Sequence, residues 1–187
     1  MSEPFSDGVL IEESRRGSPV AFDALMRRYE RLVFAVAWTY TRERESALDV
    51  TQQVFLKVYQ KLGTVRTAGA FKAWLVRIAC RESLNWQRRH RHLQEVEAIT
   101  ADWPGSDAAA PEKDLLYEED LRRLRDSMAQ LPLRQRLAVT LRYFEGLPVR
   151  EVAAALRCSE GTGKNLLFRG LRRLRDKLAG CAMEKKP

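Results

Sequence analysis

The sequence predicts an all-α protein: two small helical domains, the first of three to four helices and the second ending in a helix-turn-helix, joined by a flexible acidic linker. Three observations predict it. Apolar residues recur at three- and four-residue spacing along most of the 187 residues, and the alternating pattern of strands is scarce. Two such periodic regions are separated by a stretch rich in Pro, Gly, Ser, Asp and Ala. Charge divides in the same way: residues 1–92 carry a net +6, residues 93–120 a net −8 and residues 121–187 a net +10, giving the overall +8. Two basic bodies on an acidic strap are not a uniformly solvated surface.

The first long helix begins at Ser18-Pro19, with serine as N-cap and proline at the first helical position. Phe22, Leu25, Met26, Tyr29, Leu32, Val33, Val36, Ala37 and Tyr40 form its apolar stripe. A second helix spans Glu45 to Leu62, with Ala47, Val50, Val54, Val58 and Leu62 inward, before Gly63 to Gly69 break the pattern. A third runs from Ala70 to His92. It starts apolar, at Phe71, Trp74, Leu75 and Ile78, and turns basic at Arg77, Arg81, Arg88, Arg89 and Arg91. These helices enclose a core, so residues 1–95 form the first domain. Residues 96–115 form the acidic linker, in which Trp103 is the one large aromatic. Residues 116–187 form the second domain, and four helices are expected from the end of the linker onward, at about 114–130, 133–145, 148–156 and 160–179, divided by Leu131-Pro132, Gly146-Leu147-Pro148 and Arg157-Cys158-Ser159.

Composition narrows the function classes. Cys80, Cys158 and Cys181 are odd in number, widely spaced and without a CxxC pair, which speaks against a disulfide framework or zinc site and fits a reducing cytoplasm. His90 and His92 sit among arginines, a poor environment for a metal ion, so neither metal nor cofactor is expected. Met1-Ser2-Glu3-Pro4 opens without the basic and apolar regions of a signal peptide, and no apolar run reaches the length of a membrane span. Catalysis lacks candidates as well. Glu160-Gly161-Thr162-Gly163-Lys164 resembles a phosphate loop only briefly, since Cys158 and Asn165 stand where that motif needs Gly and Ser or Thr.

The last two helices carry the most specific local signal. Val149, Val152, Ala153 and Leu156 line a short helix. Arg157-Cys158-Ser159 makes a tight turn, and Ser159 caps a longer helix whose inner stripe is expected at Leu167, Leu171, Leu174 and Leu178. This is the spacing of a helix-turn-helix. Asn165, Arg169, Arg172 and Asp176 fall opposite the leucines, flanked by Thr162 and Arg173. Amide and guanidinium groups so placed suit bidentate reading of base edges in a major groove. An ordinary solvated face is the competing explanation, and the adjoining Lys164, Arg175 and Lys177 in a domain of net +10 weigh against it. In the first domain, Asp49, Gln52, Gln53 and Leu56 occupy the polar side of the second helix. The third helix combines aromatic and arginine residues, a pairing that suits single-stranded nucleic acid. There the spacing assigns Phe71 and Trp74 to the core and leaves Trp86, near Asn85 and Arg88, as the ring expected to be exposed.

In this order the blocks resemble the extracytoplasmic-function (ECF) class of bacterial sigma factors, which consist of the helical domains called region two and region four. The matching blocks are Ala21-Phe22-Asp23-Ala24-Leu25, Asp49-Val50-Thr51-Gln52-Gln53-Val54-Phe55, Trp74-Leu75-Val76-Arg77-Ile78-Ala79, Leu131-Pro132 with Arg136, Val149-Arg150-Glu151-Val152-Ala153 and Glu160-Gly161-Thr162. The resemblance implies a transcription initiation factor that binds core RNA polymerase and promoter DNA, with an inhibitory anti-sigma partner common in the class. It implies that Asp49, Gln52, Gln53 and Phe55 dock on the polymerase clamp. It implies that Gly63 to Gly69, with Arg77, Arg81, Asn85, Trp86, Arg88 and Arg89, open and capture the minus-ten element. It implies that Thr162, Lys164, Asn165, Arg169, Arg172 and Arg173 read the minus-thirty-five element, and that the linker threads polymerase channels.

The sequence departs from the family pattern at several places. Leu48 replaces an acidic residue, Arg81 an asparagine, and Arg157 a turn glycine. Leu166 replaces a basic residue, and Gly163 a β-branched one at a cost of about 1 kcal/mol in helix propensity. A free-standing helix-turn-helix regulator is the alternative reading, against which the Asp49–Phe55 block stands. A nucleic-acid-processing enzyme is a third, and the absence of clustered acidic ligands or a positioned nucleophile in the sequence stands against it.

Overall fold

In the computed structural model the protein is described at residues 5–90 and 115–183. Residues 96–114 of the acidic linker, with Trp103, and Arg91 and His92 at the end of the third predicted helix, lie outside the described residues, and Leu115, the linker's last residue, opens a helix. The chain divides into two compact units at Thr100 and Ala101, and all described secondary structure in both is helical.

The first unit contains α1 (Asp7–Arg15), α2 (Pro19–Thr41), α3 (Arg44–Lys61) and α4 (Ala68–Arg89). α2 starts where the Ser-Pro pair predicts: Ser18 is the N-cap, its hydroxyl accepts from the Ala21 N–H at 3.3 Å, and Pro19 opens the helix. α3 and α4 pack along α2 and bury Val50, Val54 and Val58 from one side and Phe71, Leu75, Val76 and Ala79 from the other. From Leu32 to Thr41 every residue of α2 is buried, so a single stripe understates its burial. Thr39 and Thr41 are tolerated there because their hydroxyls donate to the carbonyls of Ala35 and Ala37, leaving no bare polar atom inside.

α1 is an addition to the three helices read from the sequence. Ser6 caps it, and its buried Leu10 and Ile11 close the core against α2. Between α3 and α4 the chain makes one 3₁₀ turn, Leu62–Thr64, and a short extended passage. α4 therefore begins at Ala68, two residues before the sequence suggests, with Thr67 at the N-cap position and its side chain making no cap hydrogen bond.

The second unit contains α5 (Leu115–Ala129), α6 (Leu133–Val139), α7 (Val149–Ala155) and α8 (Glu160–Met183). α6 does not run on to residue 145 as an α-helix. It widens into a π-helical turn at Thr140–Phe144, whose end is marked by the Glu145 N–H donating to Thr140 and Leu147 to Leu141. Arg136, almost wholly buried, donates to the last carbonyl of α5, Ala129, at 2.7 Å. This is the structural use of the Leu-Pro-x-x-x-Arg block.

Candidate functional site

The turn between α7 and α8 sets the recognition geometry. α7 ends in a Schellman motif: the Arg157 N–H reaches Ala154 and the Cys158 N–H reaches Ala153. The motif requires a left-handed residue, and Arg157 adopts it at φ 52°, where the family favours glycine. Arg134 of α6 donates to the Leu156 carbonyl at 3.0 Å and ties this turn to the body of the domain. Ser159 then caps α8. Its hydroxyl accepts from the Thr162 N–H at 3.2 Å and lies 2.9 Å from the Thr162 hydroxyl.

α8 packs on a seam that corrects the leucine stripe. Gly163, Leu167, Gly170 and Leu174 are its buried positions, whereas Leu171 is 38% exposed. The two glycines let backbones meet. A Cβ at position 163 would sit 3.2 Å from the Ala153 Cβ of α7, and one at position 170 only 2.9 Å from a Val139 methyl of α6. Gly163 is thus a packing residue as well as a cost in helix propensity.

The opposite face presents the predicted residues. Thr162, Lys164, Asn165, Arg169, Arg172 and Arg173 are all exposed. Their engagements differ. Lys164 pairs with Glu160 at 3.1 Å and Arg172 stands 4.0 Å from Asp176, both exposed pairs worth little in water. Arg173 donates to the Gln135 amide oxygen at 3.3 Å, which turns it toward α6, and the Thr162 hydroxyl is occupied at the cap. Asn165 and Arg169, one turn apart, engage no side chain among the described residues. Beside them stands Phe168, 65% exposed, which the sequence reading passed over because an aromatic at that spacing reads as core. An exposed ring on this face suits the methyl group of thymine.

In the first unit, Asp49, Gln52 and Gln53 are exposed on α3, and Phe55 is half-buried. Flanking them, Leu48, Leu56 and Tyr59 are exposed at 40%, 65% and 65%, apolar side chains on a polar helix face. Tyr59 meets Phe22 of α2 edge to face at 5.1 Å. Leu48 therefore adds to the exposed apolar surface of α3. α3 is fixed at its start by Glu43, whose carboxylate accepts from the N–H groups of Glu45 and Ser46 at 2.8 and 2.6 Å. Partial burial opposes the Glu43 charge, but the hydrogen bonds from Ser46 and Glu45 outweigh it and hold its pKa below the usual carboxylate value.

On α4, Phe71 is fully buried, as its spacing predicts, whereas Trp74, assigned to the core on the same grounds, is half-buried. Arg77, Arg81 and Asn85 follow one another turn by turn on the side away from Leu75, Ala79 and Ser83. Arg81, Arg88 and Arg89 are exposed, Arg77 and Asn85 half-buried. Trp86 is not the free ring expected. It is half-buried and stacked on His90, with centroids 4.4 Å apart and planes 15° from parallel, because His90 lies one turn on and its Nδ1 sits 2.9 Å from the Trp86 carbonyl. Among the described residues no group of His, Cys, Asp and Glu is placed to hold a metal, and no helix is long and apolar enough to cross a membrane.

Comparison with known proteins gives this arrangement its class. Residues 25–93 match the model of Sigma-70 region 2, and residues 121–174 that of Sigma-70, region 4. The chain is 34% identical over 177 residues to the ECF RNA polymerase sigma-E factor of Escherichia coli K12, covering 90% of this chain and 92% of that protein. It is 32% identical over 171 residues to the RNA polymerase sigma-H factor of Pseudomonas aeruginosa, covering 87% and 89%. In fold it is similar to CnrH, solved with the cytosolic domain of CnrY (TM-score 0.70, 19% identity, 93% of this chain and 97% of that one). It is also similar to RpoE of Bartonella quintana, solved with the anti-sigma factor NepR (0.69, 24%, 84% and 96%). The chain belongs to the sigma-70 family of RNA polymerase sigma factors, in its ECF class. It is a transcription initiation factor that directs promoter-specific initiation.

Proposed function

We propose that the two units divide promoter recognition between them, without covalent chemistry. The domain of residues 116–187 lays α8 in the major groove of the minus-thirty-five element, with Asn165 and Arg169 on base edges, Phe168 beside them, and Lys164, Arg172 and Arg173 toward phosphates. The domain of residues 1–95 docks through Asp49, Gln52, Gln53 and Phe55, with Leu48, Leu56 and Tyr59 adding apolar contact to the polymerase clamp. Its Gly63–Gly69 loop and the Arg77, Arg81, Asn85, Trp86, Arg88 and Arg89 side of α4 capture the minus-ten strand. The linker of residues 96–115 connects the two through polymerase channels in the cytoplasm, and an anti-sigma partner holds the factor inactive.

One observation carries this reading. α8 packs on a glycine-lined seam and turns a face bearing Asn165, Phe168 and Arg169 away from the domain, with no side-chain partner for the two polar groups among the described residues. A packing helix also carries a solvated polar face, but an exposed ring between an amide and a guanidinium is the combination that suits base edges in a major groove. The test is to mix the purified chain with bacterial core RNA polymerase, confirm co-elution by size-exclusion chromatography, and enrich promoters from randomised duplex DNA. Recovery of a two-part element is expected. A folded chain that leaves polymerase alone yet enriches one duplex site would replace this reading with that of a free-standing regulator.

A further inference from the structure

α1 touches both ends of the loop that separates α3 from α4. At its C-terminal end, Arg15 reaches 47 to 50 residues along the chain. Its Nε and Nη2 donate to the Leu62 carbonyl at 3.3 and 3.4 Å, and Nη2 donates also to the Val65 carbonyl. At its N-terminal end, Gly8 lies against Ala68, the first residue of α4, where an added Cβ would stand 3.6 Å from the Ala68 Cβ. The span between these contacts is the loop itself. Leu62 and Val65 are buried anchors, each 4% exposed, while Gly63, Thr64, Arg66 and Thr67 face solvent. Within the turn the Val65 N–H donates to the Leu62 carbonyl and the Thr64 hydroxyl to the Lys61 carbonyl at 2.7 Å. To these local bonds Arg15 adds a hold on both buried anchors from another helix.

α1 is in turn held firmly. The Asp7 carboxylate accepts from Arg28 at 2.5 Å and from the Tyr29 hydroxyl, and Arg28 donates to the Phe5 carbonyl at 2.6 Å. Leu10 and Ile11 are buried beneath it. A planar guanidinium with several fixed donors suits this task, because it can hold two carbonyls in a set relation. The neighbouring Arg16 gives the contrast: both arginines stand near Glu12, at 3.7 and 3.4 Å, but Arg16 is exposed and its other partner among the described residues is Glu13 at 3.0 Å, with no hold on the loop.

We infer that Arg15 is a positioning residue for strand capture: α1 acts as a brace whose guanidinium fixes the Leu62–Thr67 loop in the shape that receives the unpaired minus-ten strand. This rests on the assignment of that loop proposed above. Arg15 need not touch DNA for this. It holds the carbonyls of the two buried anchors, and so sets the direction in which Gly63, Thr64, Arg66 and Thr67 project.

The test uses the full chain bound to core RNA polymerase, with a promoter fragment enriched by the unsubstituted holoenzyme and carrying 2-aminopurine in the minus-ten element. Fluorescence reports strand opening. Arg15→Ala is expected to slow opening about tenfold, as befits loss of charge-assisted hydrogen bonds that order the loop. Affinity for core polymerase and for a duplex carrying only the minus-thirty-five element should stay within about twofold. Arg16→Ala removes the same charge from the same helix and should open the promoter like the unsubstituted chain. Normal opening by Arg15→Ala would overturn the inference, and so would an equal defect in Arg16→Ala, which would make the effect one of charge. A loss spread evenly over core binding, duplex binding and helix content would also overturn it, by reducing Arg15 to a general stabiliser. A failure of the unsubstituted holoenzyme to open any enriched promoter would instead strike the proposed function.

Discussion

Gly170 sits where α8 crosses α6, and any side chain there must displace a Val139 methyl 2.9 Å away, with the Gln135 carbonyl a further 3.5 Å contact. Alanine at this position gains about 1 kcal/mol of helix propensity. Overpacking a rigid seam costs about 1–3 kcal/mol, so the clash wins. Gly170→Ala is expected to lower the unfolding free energy of the second domain by about 1 kcal/mol or more, measured by denaturant titration. An unchanged midpoint would show that the seam can widen without loss. Arg169, by contrast, is exposed and should leave stability alone. If it reads a base, Arg169→Ala costs about 1–3 kcal/mol in discrimination between the enriched promoter and its single-base variants. A uniform loss on all duplexes would make it a phosphate contact. Cys80 supplies a pH prediction. Burial pushes its thiol up to about 11, against an opposing hydrogen bond with Tyr40. The fold prefers the neutral thiol, so this contribution is complete below the ordinary value of 9.0 and is lost as pH rises from there through about 11. Thermal melts between pH 9 and 11 should fall less steeply for Cys80→Ala, by at most about 1.4 kcal/mol per pH unit. Parallel curves would show that the thiol titrates as if exposed.

At the level of elements, what could be read from the sequence followed the strength of the pattern. α2 announces itself with a Ser-Pro start and five turns of apolar spacing, and its first residue falls where predicted. α1 does not. It is nine residues long, has Gly8 in its first turn, and buries only Leu10, Ile11 and Ser14, so a hydrophobic stripe never forms and only the Ser6 cap hints at it. α8 misleads in another way. Counting leucines put Leu171 inside, but helix contact is decided by how closely backbones approach, and the smallest residue, Gly170, takes the crossing. The π turn after α6 lacked any sequence signal, since Thr140–Phe144 continues a helical pattern. The candidate site was legible as a set of exposed polar residues on α3, α4 and α8. What stayed hidden was what each one already holds: Arg173 its Gln135, Trp86 its His90. α3 offers the cleanest test at this scale. Gln52 and Gln53 are exposed side chains on a helix whose core face is Val50, Val54 and Val58. Gln52→Ala with Gln53→Ala should leave the melting temperature within a degree or two, because surface changes of this kind are worth under about 0.5 kcal/mol. Core polymerase affinity should fall about tenfold if the pair docks. Normal affinity with normal melting would move the docking surface elsewhere, Leu56 and Tyr59 being the next residues to replace.

Over the whole chain the distribution of charge is the property with the longest reach. A net −8 over residues 93–120 sits between segments of net +6 and +10, and none of these follows from the need to fold. Exposed charges separated by more than about 8–10 Å are screened at ordinary salt, and at the end of the run Glu119 and Asp120 already stand 2.8 and 3.8 Å from Arg123, so a role toward a partner falls to the charges that precede α5. The partner proposed above is a basic polymerase channel built for nucleic acid, which an acidic segment would occupy by imitating that nucleic acid. Replacing Asp102, Asp107, Glu112 and Asp114 with their amides halves the segment charge from −8 to −4 and leaves every described helix untouched. If the linker imitates nucleic acid, the variant should associate with core polymerase several-fold more slowly at low salt. That difference should shrink as ionic strength rises toward about 0.5 M, where long-range attraction is screened for both proteins. Binding of a minus-thirty-five duplex by the free chain should move the other way, slightly tighter, since four negative charges no longer repel phosphate. Stopped-flow association across a salt series reads both signs. Identical association rates at every salt concentration would sink the channel role and leave the linker a solvated tether.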